Sequence, residues 1–297
     1  SPGAAMFHDP DGHGVIVHRV FGQGPGRTEI EPLGTEHSAA GDTVMTDRFL
    51  DEILIPGGPA YSLIWQCEPD HTQHEVKLGS PKHLEVIAAA DANAGRIAAR
   101  VEELDPTGEN ILLIIGSDHG HETTTEIVDM DDMLVAAGLK DSPDSREVAI
   151  APQGTSVTIY LAPEAMDREG AIVEFLKGQP YVGGITHGAD LAKLGMPVDE
   201  LAPRIAVTGA ATEEPNEFGV KGGSVAFQGT LKISNNQGCG QHGGLGTYEQ
   251  SPFAMARGPL YQGGTKSGDP TCTVDLAPTV LRHLGLDYGD VDGAPLP

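Results

Sequence analysis

Residues 111–121 read Ile-Leu-Leu-Ile-Ile-Gly-Ser-Asp-His-Gly-His, and this stretch decides the predicted fold. Five consecutive aliphatic residues followed by a polar, glycine-containing segment predict a buried strand that ends in a loop. In open α/β sheets, ligands bind in the loops beyond the carboxyl ends of the strands. Asp118 and His119 stand in this loop, and a carboxylate beside an imidazole suits a borderline divalent cation such as zinc. A turn that leads into a capped helix is the alternative interpretation.

Two further segments combine ligand-type residues with a preceding apolar run or a glycine-rich loop. Residues 68–74 read Glu-Pro-Asp-His-Thr-Gln-His. Asp70 and His74 are four residues apart, so both side chains share one face if a helical turn forms there. Residues 238–246 form a glycine-rich segment around His242, in which glycines would let the backbone pack closely and leave the imidazole accessible.

The apolar periodicity predicts alternating strands and helices. Strands are predicted at residues 14–18, 61–67, 111–116 and 155–161, and helices at 46–54, 80–104, 128–137 and 167–176. This order predicts an α/β fold with a largely parallel sheet and helices on both faces, in a single domain over residues 1–297. Residues 180–240 are rich in Gly and Pro and predict an irregular excursion, with short strands at 204–208 and 224–227.

The helix predicted at residues 80–104 has the clearest boundaries. Ser80 is suited to the N-cap and Pro81 to the first turn. The face expected to pack is traced by Leu84, Ile87, Ala88, Asp91, Gly95 and Ala98.

The composition is strongly acidic, with 43 Asp and Glu against 18 Lys and Arg and a formal net charge of −25. This balance argues against nucleic acid or an anionic membrane as a stable partner, because such contacts need clustered Lys and Arg. A phosphate substrate stays compatible, since bound metal ions reverse the local charge. No apolar stretch approaches the roughly 20 residues that cross a bilayer. Cys67, Cys239 and Cys272 form neither a disulfide framework nor a C-x-x-C motif.

The order Asp-x-x-x-His, Ser-Asp-His-Gly and Gly-x-His-Gly resembles the alkaline phosphatase superfamily, and most closely its type I phosphodiesterase/nucleotide pyrophosphatase branch. Residues 274–285 are similar to the closing helix of that family, and residues 292–296 to its ending. The resemblance extends over residues from about 60 to 297, with a poorly matched middle. Cofactor-independent phosphoglycerate mutases carry the same order of motifs, so a phosphomutase stays open as an alternative.

The resemblance implies an alkaline-phosphatase-like core with two divalent metal ions, for which zinc is the expected metal and manganese the alternative. Asp70, His74 and His242 match the protein ligands of one ion. Asp118 and His119 match two ligands of the other. His71 and His121 stand beside these residues in sequence and are expected outside the direct ligand set.

Two features that the resemblance requires are not recognisable in the sequence. The family has an Asp at the end of its first strand and a Thr or Ser nucleophile at a following helix start. The opening residues 1–6, Ser-Pro-Gly-Ala-Ala-Met, resemble a position past the nucleophile. We therefore expect an N-terminally truncated chain that lacks the first strand and the nucleophile segment. Localisation stays open: a leader before residue 1 would indicate the periplasm or secretion, and its absence the cytoplasm.

The expected function is metal-dependent hydrolysis of a small phosphoric ester by a phosphodiesterase or nucleotide pyrophosphatase, through in-line displacement between two ions. A non-catalytic metal-binding remnant is the alternative from a different class, because no nucleophile is recognised. The sequence does not specify the substrate or the oligomeric state.

Overall fold

The structure is a computed structural model that describes residues 12–199, 201–231, 233, 235–261 and 263–297. Residues 1–6, on which the interpretation of truncation rests, lie outside this part. Contacts between Cα atoms group the chain into two compact units. One contains Ser1–His71, Glu85–Ile115 and Met255–Pro297, and the other contains Thr72–Leu84 and Gly116–Ala254. The expected single domain stays a prediction, since units defined by contacts can still fold together.

The described part of the chain combines short helices with short strands. The helices are α1 (Ala39–Glu52), α2 (Asp70–Gln73), α3 (Pro81–Leu104), α4 (Met130–Ala136), α5 (Glu169–Lys177) and α6 (Leu276–His283). The strands are β1 (Ile16–Val17), β2 (Gly22–Gln23), β3 (Leu113–Gly116), β4 (Glu122–Asp129), β5 (Val148–Pro152), β6 (Ser156–Leu161), β7 (Val182–His187), β8 (Ile205–Gly209), β9 (Ala211–Pro215), β10 (Lys221–Gln228), β11 (Gly240–Gln241) and β12 (Ala254–Arg257). No helix among the described residues is long and apolar enough to span a bilayer.

Helix α3 has the predicted boundaries but buries a different face. The backbone N–H of His83 donates to Ser80 Oγ over 3.4 Å, which agrees with the predicted N-cap. Leu84 is 56% exposed, whereas Val86 is buried. The buried face continues through Asn93, whose amide donates to Gln66 Oε1 over 3.1 Å. Apolar periodicity could not select this face, because it includes polar residues that hydrogen-bond when buried.

The strand predicted at residues 61–67 is wrong. Leu63 is 68% exposed, and Tyr61 and Trp65 are exposed as well. A strand requires a partner for its backbone, and none pairs with this segment in the described chain. At its end, the N–H groups of Cys67 and Glu68 instead donate to the Asp42 carboxylate, over 3.0 and 2.9 Å.

The sheets are mixed rather than largely parallel, which corrects the predicted topology. One four-stranded sheet has the order β11-β4-β10-β9, and another has the order β5-β6-β8-β7. The β4–β10 pair is parallel, whereas β4–β11, β9–β10, β5–β6, β6–β8 and β7–β8 are antiparallel. The three residues that connect β5 to β6 permit only a hairpin, because parallel neighbours need a longer crossover.

Residues 180–240 contain more regular structure than the sequence predicts. The predicted strands at 204–208 and 224–227 correspond to β8 and β10, and β7 and β9 are additional. Strand β6 illustrates the core of the second unit, because Val157, Ile159 and Leu161 all face inward. The alternating residues Ser156, Thr158 and Tyr160 therefore lie on the opposite face of the strand.

Candidate metal centre

The β3–β4 loop, residues 117–121, carries Asp118, His119 and His121. The predicted loop after the strand is thus confirmed, although it leads into β4 before α4 begins. The N–H of Ser117 donates to Phe253 O over 3.1 Å, and the N–H of Gly120 donates to Glu249 O over 2.8 Å. These bonds hold the loop before its histidines and between them.

Antiparallel pairing of β11 with β4 brings His242 to the same place. Gln241 pairs with Glu122, so the next position along each strand puts His242 opposite His121. Their ring centroids are 5.0 Å apart. A side chain at Gly240 would place its Cβ 2.9 Å from Gln73 O and 3.1 Å from His121 Cδ2. Glycine is therefore required there for the close approach that the sequence predicts in this loop.

His74 follows α2 directly and joins the other histidines. The amide of Asn236 donates to His74 O over 2.8 Å. The ring of His74 lies 5.3 Å from that of His121 and 5.2 Å from that of His242. A bridge between Lys77 and Cys239 keeps the segment after His74 beside the glycine-rich loop.

Four imidazole rings thus form one cluster, which we call the histidine cluster: His74, His119, His121 and His242. His119 and His242 stack almost parallel, with centroids 3.6 Å apart and an interplanar angle of 15°. The rings of His119 and His121 are 5.2 Å apart and inclined by 59°.

Three of the four rings in the histidine cluster approach one another closely. One ligand atom each of His119, His121 and His242 lies within 4.8 Å of the others. Asp118 Oδ2 lies 3.4 Å from His119 Nε2, on a half-exposed side chain. Of the five predicted ligands, His74, His119 and His242 therefore belong to the cluster, Asp118 contacts it through His119, and Asp70 begins α2 in the first unit. Their roles as ligands stay predictions.

The donor set fits a divalent transition metal. Zinc takes imidazole nitrogen and carboxylate oxygen at about 2.0–2.2 Å, which separates neighbouring ligand atoms by roughly 3.3 Å in a tetrahedron. His121 has a ligand atom within 4.8 Å of one on each of His119 and His242, so a pair of these atoms would reach that spacing by approaching one another by at most about 1.5 Å. Rotation of the side chains can supply a movement of this size.

His121 is the member of the cluster that the sequence did not predict. Its signal was present in residues 122–128, because Thr and Val are favoured in strands. A strand there, paired with the segment before His242, would have placed His121 opposite that histidine.

The nearby cysteines are poor candidates for metal ligands. Burial and the adjacent Asp42 carboxylate raise the pKa of the Cys67 thiol to about 12. Burial also raises the pKa of Cys239. A thiol must be deprotonated to bind a metal, so both are better described as small hydrophobic residues, of which Cys67 is partly buried and Cys239 is buried.

A cleft of about 400 Å³ opens beside the glycine-rich loop. Gly243, the residue after His242, lies at its wall, and the outward face of β6 provides Ser156, Thr158 and Tyr160. The hydroxyl of Ser156 donates to Gly243 O over 2.6 Å, which attaches the strand to the loop. The lining residues that the structure describes include no Lys or Arg, so the cleft is not by itself a phosphate site.

Similarity to solved structures concerns the fold. The chain is similar to human ectonucleotide pyrophosphatase/phosphodiesterase 5, with 15% identity and a TM-score of 0.57. It is also similar to the murine protein of that name, with 14% identity and a TM-score of 0.59. Each comparison covers 92% of this chain and 65% of the other, so this chain spans less than two thirds of either relative.

Sequence comparison identifies the family. A search of curated proteins finds no match. The family model described as type I phosphodiesterase / nucleotide pyrophosphatase matches residues 27–177, which is just over half of the chain. This agrees with the resemblance carried by the Asp-x-x-x-His, Ser-Asp-His-Gly and Gly-x-His-Gly motifs. The chain therefore belongs to the type I phosphodiesterase / nucleotide pyrophosphatase family.

Proposed function

We propose that this chain carries the metal centre of a hydrolase that cleaves small phosphoric esters, of the phosphodiesterase or nucleotide pyrophosphatase type. The observation that carries the proposal is the histidine cluster, in which ligand atoms of His119, His121 and His242 lie within 4.8 Å of one another and the Asp118 carboxylate lies 3.4 Å from His119 Nε2. Imidazole and carboxylate together suit a borderline divalent cation, for which zinc is the expected identity.

The stacking of His119 on His242 favours two ions over one. An imidazole binds a metal through a lone pair in the plane of its ring, at about 2.0–2.1 Å for zinc. These two rings are nearly parallel with centroids 3.6 Å apart, so a single ion could bind both only if one ring turned. Two ions, one held by each histidine, would need no such rotation and would match the two-metal chemistry of phosphoryl transfer.

We assign Asp70, His74 and His242 to one ion, and Asp118 and His119 to the other, following the motifs that match the family. His121 is proposed as a further ligand of the second ion. One ligand atom of its ring lies within 4.8 Å of one on His119, and the two rings are inclined by 59° rather than stacked, which favours a shared ion. It would thereby take a position for which no second-ion Asp is recognised in the sequence.

The proposed chemistry depends on how the chain holds these groups. When bound, divalent ions would stabilise the negative charge that develops on the transferring phosphoryl group. The β4–β11 pairing and the bonds of Ser117 and Gly120 fix the histidine segments before any ligand arrives. Such preorganisation is favourable, because the groups need not be ordered during the reaction.

Calorimetric titration of zinc into chelator-treated protein tests the proposal. We expect about two ions per chain for the wild type, about one for His121→Ala, and loss of the tighter binding event for His242→Ala. His187→Ala is the control, since that exposed histidine at the end of β7 pairs with Glu169 of α5. Equal binding by the wild type and His242→Ala would contradict the assignment.

A non-catalytic metal-binding role is the second candidate function. It is favoured by one observation, which is that no Thr or Ser nucleophile motif is recognised in the sequence. Both candidates predict zinc binding, so only turnover separates them.

A further inference from the structure

Glu249 is a buried carboxylate that joins two loops of the histidine cluster. One is the β3–β4 loop with His119 and His121, and the other is the glycine-rich loop with His242. Glu249 is 1% exposed. Its backbone carbonyl accepts a hydrogen bond from the N–H of Gly120 over 2.8 Å. Gly120 lies between His119 and His121, so the main chain of Glu249 holds the β3–β4 loop at its centre.

The side chain of Glu249 holds the other loop. Its Oε2 accepts from the N–H of Gly244 over 3.0 Å, and its Oε1 accepts from the N–H of Gly246 over 2.8 Å. The hydroxyl of Thr155 donates to the same Oε2. Gly244 is two residues after His242, so this carboxylate fixes the backbone that immediately follows the histidine.

The surrounding backbone leaves this loop little freedom. The N–H of Thr155 donates to His242 O over 3.0 Å. A Cβ on Gly244 would lie 2.8 Å from Glu249 Oε1, so glycine is required for the carboxylate to approach. Movement of the Glu249 side chain would therefore release the turn that follows His242.

A carboxylate is suited to this position for a chemical reason. Burying a charged group is unfavourable unless its hydrogen-bonding capacity is satisfied. Here three donors approach two oxygens that can only accept. Glutamine has the same shape, but its NH₂ group would face a donor on one side and leave a buried N–H unsatisfied.

We propose that Glu249 is a positioning residue, which sets the placement of His242 relative to His119 and His121 and thereby the affinity of the metal centre. This inference rests on the proposed function, since it requires those histidines to bind metal. Outer partners that orient metal ligands typically contribute about 10- to 100-fold to metal affinity. We expect Glu249→Gln to weaken zinc binding by a factor in that range.

The matched control is Asp131→Asn. Asp131 is also a buried carboxylate of the second unit, and it accepts from the N–H of Thr230 over 2.6 Å and pairs with Lys140 over 3.3 Å. It lies in α4, the helix that contributes Met130 and Leu134 to the hydrophobic core. Removing its charge should lower thermal stability with a zinc affinity within about twofold of the wild type.

The experiment measures zinc affinity, melting temperature with and without zinc, and the visible absorption of the cobalt-substituted protein. For Glu249→Gln we expect weaker zinc binding, a smaller melting-temperature increase on zinc addition, and an altered cobalt spectrum. For Asp131→Asn we expect equal loss of stability in both states and an unchanged spectrum. A Glu249→Gln protein with wild-type zinc affinity and cobalt spectrum would overturn the inference.

If Glu249→Gln does not fold, Thr155→Val tests the positioning role of Glu249 in its place. Valine keeps the shape of threonine and removes only the hydroxyl that donates to Glu249 and accepts from Gly244 N–H over 2.8 Å. We expect zinc affinity to fall several-fold, and unchanged affinity would overturn the inference. Failure of the wild type to bind zinc would instead overturn the proposed function, so the two failures are distinguishable.

Discussion

Asp105 shows how one carboxylate can fix the entry to the motif-bearing strand. Its side chain accepts from the N–H groups of Asn110 and Ile111, over 2.7 and 2.8 Å, and Ile111 lies two residues before β3. These backbone donors hold the pKa of Asp105 well below its usual value. The carboxylate is therefore bound more favourably in the folded chain than in the unfolded chain.

We predict that Asp105→Asn lowers the melting temperature at pH 7, because the amide keeps one accepting oxygen and its NH₂ group cannot accept the bonds that the Thr107 hydroxyl and the Glu109 N–H donate to Oδ1. A pKa lowered on folding adds stability that is complete above the unfolded value of about 3.9 and is lost as the pH falls below it. The difference between variant and wild type should thus be constant from pH 7 to 5 and narrow below about pH 4. Asp91→Asn, on the exposed face of α3, is the control. A pH-independent difference would contradict this explanation.

Single residues also explain why the candidate ligands were easier to recognise in the sequence than their arrangement in space. Asp70, His74, Asp118, His119 and His242 stand in short motifs whose residue types alone indicate metal binding. His121 gains its place from the register in which Gln241 pairs with Glu122. Glu249 gains its role from hydrogen bonds to glycine N–H groups that are distant in sequence from the β3–β4 loop. The strand register and the bond from Gly120 N–H to Glu249 O both join segments that are distant in sequence, so neither can be read from a short motif.

Among the secondary-structure elements, helices were predicted more accurately than strands. Helix α3 begins at Pro81, as the Ser80-Pro81 pair predicts, because capping is a local interaction. Residues 61–67 contain an apolar run and yet form no strand, because pairing depends on a partner elsewhere in the chain. The mixed direction of the sheets has the same origin, since short hairpin connections rather than strand composition determine it.

Two glycines, one inside a helix and one just after a helix, should change stability in opposite directions when each is replaced by alanine. Gly95 lies inside α3 and a Cβ there would meet nothing within 4 Å, so Gly95→Ala should stabilise the chain by about 0.5–1 kcal/mol. Gly138 follows α4 with φ of +69° and is equally open, but alanine disfavours that conformation by roughly 1–2 kcal/mol. Gly138→Ala should therefore destabilise. Chemical denaturation of both variants measures the change in the free energy of unfolding, and a change in the same direction for both would contradict the prediction.

For the whole molecule, charge and site must be considered together. A chain with a net charge of −25 repels phosphate esters at long range. The proposed ions would reverse that sign locally at the histidine cluster, while the acidic surface elsewhere keeps the chain soluble. Substrate binding is therefore expected to require metal even where the cleft beside Gly243 contacts the organic part of the ester.

Turnover tests the whole chain and separates the two candidate functions. We predict that residues 1–297, loaded with zinc, hydrolyse bis-p-nitrophenyl phosphate only slightly above background. The metal centre would polarise the phosphoryl group, but a family hydrolase also needs a hydroxyl nucleophile, and no such motif is recognised in this sequence. His242→Ala should lower this small metal-dependent rate together with the zinc affinity, whereas a rate that the substitution leaves unchanged would come from contamination by another hydrolase.

If turnover is rapid instead, chelator treatment and His242→Ala together identify its source. A rate that chelator removes and that His242→Ala abolishes would mean that a hydroxyl of this chain, or an activated water, takes the role of the nucleophile. Replacing each candidate Ser or Thr close to the histidine cluster would then separate these options, because only a covalent nucleophile releases a burst of p-nitrophenol before steady turnover. A rate that chelator removes and His242→Ala does not change would place the reacting metal away from the histidine cluster, and the proposed site would then be wrong.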